Sequence, residues 1–134
     1  MLRISLLSIS IILTVLSCRR DDNIPSTEFG FPPTEAIENA RVVCGKKKME
    51  WLSELISKAE EDKNKKLHGG NYIGSIFTTE HKGKTIFVVD MAMGSGGLAY
   101  RMFDCEGKQV KFSNPEYLGD PHKNDRMIYS TFRP

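Results

Sequence analysis

The chain has 134 residues, room for a single domain, and 40% of them are hydrophobic, enough for a core once any non-globular parts are set aside. Its 19 Lys and Arg nearly balance 17 Asp and Glu, leaving a formal net charge of +2. So even a balance argues against nucleic acid, or any extended polyanion, as an obligatory partner.

The first element is a leader. Arg3 precedes an uncharged apolar run over residues 4–16, then Ser17 and Cys18. The run is too short and too rich in serine to span a bilayer, and it reads as the apolar region of a secretory signal. Val15-Leu16-Ser17-Cys18 resembles the lipobox of bacterial lipoprotein signal peptides. The resemblance implies that residues 1–17 are removed and that Cys18 becomes the first mature residue, with a diacylglyceryl group on its thiol and a further acyl chain on its amine. At ~0.8 kcal/mol per buried methylene, two or more chains tie a protein to the lipid bilayer lastingly, whereas one does not. An ordinary signal peptide cleaved near Ser17 and an uncleaved anchor are the competing readings. In some Gram-negative lipoproteins an acidic residue after the cysteine retains the protein in the inner membrane. Arg19 stands there instead, which points to the outer membrane, on its periplasmic or surface side.

Residues 18–33 mix Pro25, Ser26, Thr27, Gly30, Pro32 and Pro33 with few apolar side chains, the composition of a tether, interrupted by Phe29 and Phe31. Residues 34–134 then form the globular domain. Thr34, Glu35 and Glu38 open a short helical turn, and Arg41-Val42-Val43 reads as an extended segment. The main helix covers residues 48–66, where Trp51, Leu52, Leu55, Ile56 and Ala59 gather into one stripe at 3.6 residues per turn. His68-Gly69-Gly70-Asn71 ends it. Strands follow at residues 72–79 and 84–91, joined by a hairpin turn at Glu80-His81-Lys82-Gly83. The second, with Thr85-Ile86-Phe87-Val88-Val89, is apolar on both faces and belongs in the middle of the sheet. Glycines at 94, 96 and 97 break the run, and further strands are expected at residues 98–103, 109–113 and 126–132. This is an α+β layout, one main amphipathic helix packed on a four- to five-stranded antiparallel meander. It superficially resembles the cystatin arrangement.

With Cys18 acylated, Cys44 and Cys105 remain, and two thiols in an exported protein are expected to oxidise when the fold brings them together. Two free buried thiols, or a reactive nucleophile, are the other readings. Cys44-Gly45, Trp51-Leu52, Leu55-Ile56, Gly74-x-Ile76-Phe77, Ile86-Phe87-Val88 and Phe103-Asp104-Cys105-Glu106-Gly107, in that order, resemble the pattern of small uncharacterised bacterial envelope lipoproteins. Members of that group often carry extra cysteines before the third strand, where this chain has Met91, Met93 and glycines. The resemblance implies a compartment and no activity.

Chemistry-bearing motifs are sparse. Ser95 lacks the upstream glycine of a nucleophile elbow because Met93 stands there. His68, His81 and His122 fall in separate turns or loops. Asp120, His122, Asn124 and Asp125 do not follow the calcium-loop spacing. No metal, cofactor or catalytic group is therefore expected. Lys46-Lys47-Lys48 and Lys63, Lys65 and Lys66 read as solvated charges, the second set complementing a helix C-terminus. Phe87, Tyr100, Arg101 and Tyr129 are the candidate binding surface, on whichever sheet face the helix leaves bare. The expected function is a non-enzymatic module that binds an envelope protein or a glycan. An inhibitor or immunity protein against a secreted hydrolase or toxin is the first alternative. A small hydrolase using Asp90, Asp104 and a loop histidine is the second.

Overall fold

The computed structural model describes residues 30–94, 100–111 and 126–134. The lipobox, Cys18, Ser95 and the donor-rich loop around His122 lie outside the described residues. Two helices and five strands form an α+β fold, α1 (Pro33–Cys44), α2 (Glu50–Lys65), β1 (Gly74–His81), β2 (Lys84–Met91), β3 (Arg101–Phe103), β4 (Gln109–Val110) and β5 (Arg126–Ser130). Among the described residues no helix is long and apolar enough to cross a membrane.

The extended segment expected at Arg41-Val42-Val43 is helical, part of the continuous α1. Pro33 sits in its first turn, where the missing N–H costs nothing, and Glu35 complements the same end. Gly45, in the left-handed conformation, closes the other end by donating to Val42 O while Lys46 N donates to Arg41 O. Two valines lower helix propensity by only tenths of a kcal/mol each, roughly 0.5. The buried pair Ala36 and Ala40, four residues apart, outweighs that by bringing α1 close to α2 and β5.

In α2 the buried positions are Leu52, Leu55, Ile56, Ala59 and Asp62, one face of a helix. Leu52, Ile56 and Ala59 join Ile76, Phe87, Val89, Met91, Ile128 and Tyr129 in one core. All the sheet neighbours are antiparallel, in the order β4-β3-β2-β1-β5. The first four strands make a meander, and β5 adds beside β1 at the opposite edge, which leaves β2 third of five, at the centre of the sheet. Ile76 pairs with Val89 and Thr78 with Phe87, so these side chains share the face beneath the helices. Phe77 pairs with Val88 on the other face. Phe77, Ile86 and Val88 are nevertheless 8%, 5% and 2% exposed, so that face is covered rather than bare.

Lys82 and Gly83, both at positive φ, form the two-residue turn between β1 and β2. Gly74 opens β1 where an added Cβ would overlap the Asp90 carbonyl oxygen across the strand pair, so no larger residue fits. Cys44, ending α1, is bonded to Cys105 in the turn after β3, with Cα atoms 5.7 Å apart. The bridge closes a sequence separation of 61 residues, for which the chain-entropy relation gives roughly 4 kcal/mol. Urea unfolding of the Cys44→Ser, Cys105→Ser double variant is expected to show a loss of that size, about 4 kcal/mol, with the secondary structure retained in water.

Candidate functional site

Trp51, the single tryptophan of the chain, lies at the margin of the buried stripe of α2 and is half-buried. Its position is set from three sides. The indole Nε1 donates to Cys105 O at 3.3 Å, its ring meets Phe87 edge-on at 5.3 Å, and Phe103 lies against it at 5.5 Å. Gly107, at φ 78, brings its bare backbone so close to the indole that an added Cβ would overlap Trp51 Cγ. Asp104 holds that turn in shape, its Oδ1 accepting the N–H groups of Glu106 and Lys108.

Beside this ring opens a concavity of about 210 Å3 lined by Trp51, Leu55, Tyr72, Met93 and Phe103. Glu54 and Lys58, one turn apart on α2, form its charged rim with a 2.7 Å ion pair. The ammonium of Lys58 holds the Glu54 carboxyl below its ordinary range, and Glu54 in turn raises Lys58. Lys58 also stands 5.8 Å from the centre of the Tyr72 ring. On the other side of Trp51 a wider cleft of about 390 Å3 is lined by Lys46, Lys48, Glu50, Cys105 and Glu106. The aromatic side chains therefore form a fixed apolar platform edged by groups that give and accept hydrogen bonds.

Tyr72 is placed by the loop between α2 and β1, and that loop is built on Asp62. The Asp62 side chain is fully buried, continuing the apolar stripe of the helix. Its Oδ1 accepts the N–H groups of His68 and Gly70 at 2.8 and 3.1 Å, and its Oδ2 that of Tyr72 at 2.9 Å. Burial alone would push its pKa up. The three amides, with the charge of His68 beside them, outweigh burial and hold it below the ordinary aspartate value. The sequence signal for this role is an acidic residue in register with Leu52, Leu55 and Ala59, followed by a glycine pair that permits the turn. The periodicity argument passes over it because it counts apolar residues alone. Nearby, His68 Nε2 lies 2.8 Å from Glu61 Oε2, and its ring packs edge-on against Tyr72.

A second cluster ties α2 to the residues after β5. Tyr129 OH donates to Glu60 Oε1 at 2.8 Å, and Arg133 Nη2 meets the same oxygen at 2.6 Å while its guanidinium covers the Tyr129 ring. Burial first, then the Glu60 carboxylate, pushes the phenol's pKa upward. Tyr129 is fully buried, so this cluster is a brace and not a site.

The structure divides the four expected surface residues. Phe87 and Tyr129 are both 0% exposed and lie in the core beneath the helices, so neither offers its side chain to a partner. The physical reason is parity: Phe87 shares the helix-side face with Val89, and Tyr129 pairs with Ile76 on that side. Tyr100 is 39% exposed, and Arg101 donates through Nη2 to the carbonyl oxygen of Met93 at 3.3 Å, which sets Arg101 beside a residue of the Trp51 groove. Asp90 and Asp104 do not converge. Asp90 pairs with Ser75 on the face away from the helices, while Asp104 lies past the Phe87–Phe103 pair with its Oδ1 bound to turn amides. His122 lies outside the described residues. Among the described residues no cluster of three or more His, Cys, Asp or Glu could hold a metal ion.

Compared with protein-family models, with curated proteins and with solved structures, the chain matches none.

Two measurements probe this geometry. Gly107→Ala is expected to cost 1–3 kcal/mol in urea, roughly the range for an overpacked contact, and to shift the emission of Trp51, which must move aside. The Asp62 effect has a definite sign. With the folded-state pKa lowered, its stabilisation is complete above the ordinary value of about 3.9 and drains away as pH falls through the lowered one. Asp62→Asn should therefore unfold more easily near neutral pH and show a flatter acid limb than the parent, followed by circular dichroism from about pH 6 to 2.

Proposed function

We propose that the protein is a lipid-anchored module of the bacterial envelope, held by acylated Cys18, that binds an envelope glycan in the groove beside Trp51. The observation that carries this reading is the platform of Trp51, Tyr72 and Phe103 edged by the Glu54–Lys58 pair. A sugar ring presents apolar C–H faces and a perimeter of hydroxyl groups. Aromatic faces pack against the first, and a carboxylate and an ammonium pair with the second. The platform is also held in place, because the Trp51 indole is bonded to the disulfide-bearing turn and the backbone of Tyr72 to Asp62, so little ordering is left for binding. The leader with its lipobox supports the anchor, and Arg19 after the cysteine supports the outer membrane.

A protein partner is a second reading, favoured by exposed Tyr100 and by Arg101 beside a groove residue, residue types that anchor interfaces. The two are separable. Trp51 reports directly on the groove, so soluble peptidoglycan fragments and outer-membrane oligosaccharides are expected to change its emission saturably in the detergent-solubilised protein. Tyr72→Ala and Lys58→Ala should each weaken that response about tenfold, equivalent to 1.4 kcal/mol, without lowering thermal stability by a comparable amount. Emission that stays constant across all these glycans overturns the glycan reading, and a specific protein adduct from a photoreactive residue at Tyr100 then favours the second. Metabolic palmitate labelling lost in Cys18→Ala tests the anchor independently.

A further inference from the structure

We propose that the end of the domain carrying Leu67 and Phe132 is a membrane-contact face, seated on anionic lipid headgroups. The proposal rests on the reading of Cys18 as an acylated anchor and goes beyond it, since it concerns the globular domain itself.

Three independent observations meet at this end. The first is apolar exposure. Leu67 and Phe132 are 60% and 65% exposed, and one follows the end of α2 while the other follows β5. Lys63 Nζ donates to Arg133 O at 3.0 Å, so the last turn of α2 and the residues after β5 lie side by side. The second is charge. Lys63, Lys65 and Lys66 are all exposed here, and the neighbouring acids are engaged elsewhere: Glu60 by Arg133, Glu61 by His68, Asp62 by three backbone amides. A cationic rim around two exposed apolar side chains suits the boundary between acyl chains and anionic headgroups.

The third observation is where the chain enters the domain. Phe31 N donates to Ile128 O, and Gly30 packs against the backbone of Tyr129. The step back from Phe31 to Gly30 is thus a step forward along β5, from Ile128 to Tyr129, in the direction of Ser130 and Phe132. Cys18 lies twelve residues before Gly30, a reach of at most about 40 Å whatever path the chain takes. An anchor at Cys18 would therefore act on the domain through Gly30, beside the last residues of β5, within reach of this end. Val42, 60% exposed in the last turn of α1, belongs to the opposite end with the Cys44–Cys105 bridge and the Lys82-Gly83 turn. It has the same apolar character without the tether, which makes it the internal control.

The test uses the full mature protein purified from membranes and reconstituted in vesicles of phosphatidylethanolamine and phosphatidylglycerol, some carrying brominated acyl chains. The variants are Phe132→Trp, Leu67→Trp and Val42→Trp, with the parent supplying the share of Trp51. Acylation of Cys18 is read in parallel from the mass of the mature chain. The expected result is loss of the added emission to bromolipid for Phe132→Trp and Leu67→Trp, none for Val42→Trp, and recovery of emission when Lys63, Lys65 and Lys66 are replaced by Glu. An acylated protein that floats with the vesicles yet shows no quenching at Phe132→Trp or Leu67→Trp, or equal quenching at Val42→Trp, overturns the contact face and leaves the anchor standing. An unacylated chain that is still quenched at Phe132→Trp supports the face and overturns the anchor, and an unacylated, unquenched chain overturns both.

Discussion

The contact on which the rest of this molecule depends is that between one stripe of α2 and the inner face of the sheet. Leu52, Ile56 and Ala59 meet Ile76, Phe87, Val89 and Met91, all at 5% exposure or less. Burying one such aliphatic or aromatic side chain is worth roughly 1.5–3 kcal/mol, and several together set the angle and height of the helix over the strands. Once that height is fixed, the residues at the margins of the stripe have defined places. Trp51 comes to rest over Phe103 and the turn after β3, and Asp62 reaches the amides of the loop before β1. The groove between them is a by-product of helix packing, with both walls held by polar bonds to backbone.

The disulfide and the Glu60–Tyr129–Arg133 cluster act on the two ends of the same helix layer. Cys44 joins the end of α1 to the turn that also receives the Trp51 indole, so the connection between α1 and α2 cannot swing away from β3 and β4. At the far end Glu60 collects both the Tyr129 hydroxyl and the Arg133 guanidinium, binding α2 to the end of β5. A small domain gains much from such paired constraints, because its core alone contributes a modest surplus over chain entropy.

Much of this architecture was legible in the chain and some of it was not, for physical reasons. The stripe of α2 and the two-faced apolar run of β2 are local patterns, and they place helix and central strand correctly. The bridge between Cys44 and Cys105 is the expected pairing once Cys18 is set aside as acylated, but only the fold that brings the two sulfurs together decides it against free thiols. The end of α1 was misread because valines at 42 and 43 favour strands locally, while the burial of Ala36 and Ala40 that overrules them is tertiary. Phe87 and Tyr129 stand among the candidates for a bare face because a strand apolar on both faces does not disclose which parity meets the helix. Only the pairing of Val89 with Ile76, and of Ile76 with Tyr129, decides that. The groove residues come from α2, the following loop, the residues just after β2, β3 and the turn that follows it, and no sequence spacing relates them.

One feature of the sheet bears on how copies of this protein coexist. Its outer strands are poor templates for another chain. β4 is only two residues long, and β5 carries a register shift opposite Ile76 and Phe77 and already accepts a bond from Phe31. Short, bulged or occupied margins discourage intermolecular ladders. Neighbours brought side by side, as the proposed anchor would bring them, find little open backbone to zip onto. Crowding without polymerisation is thus built into the borders of the fold.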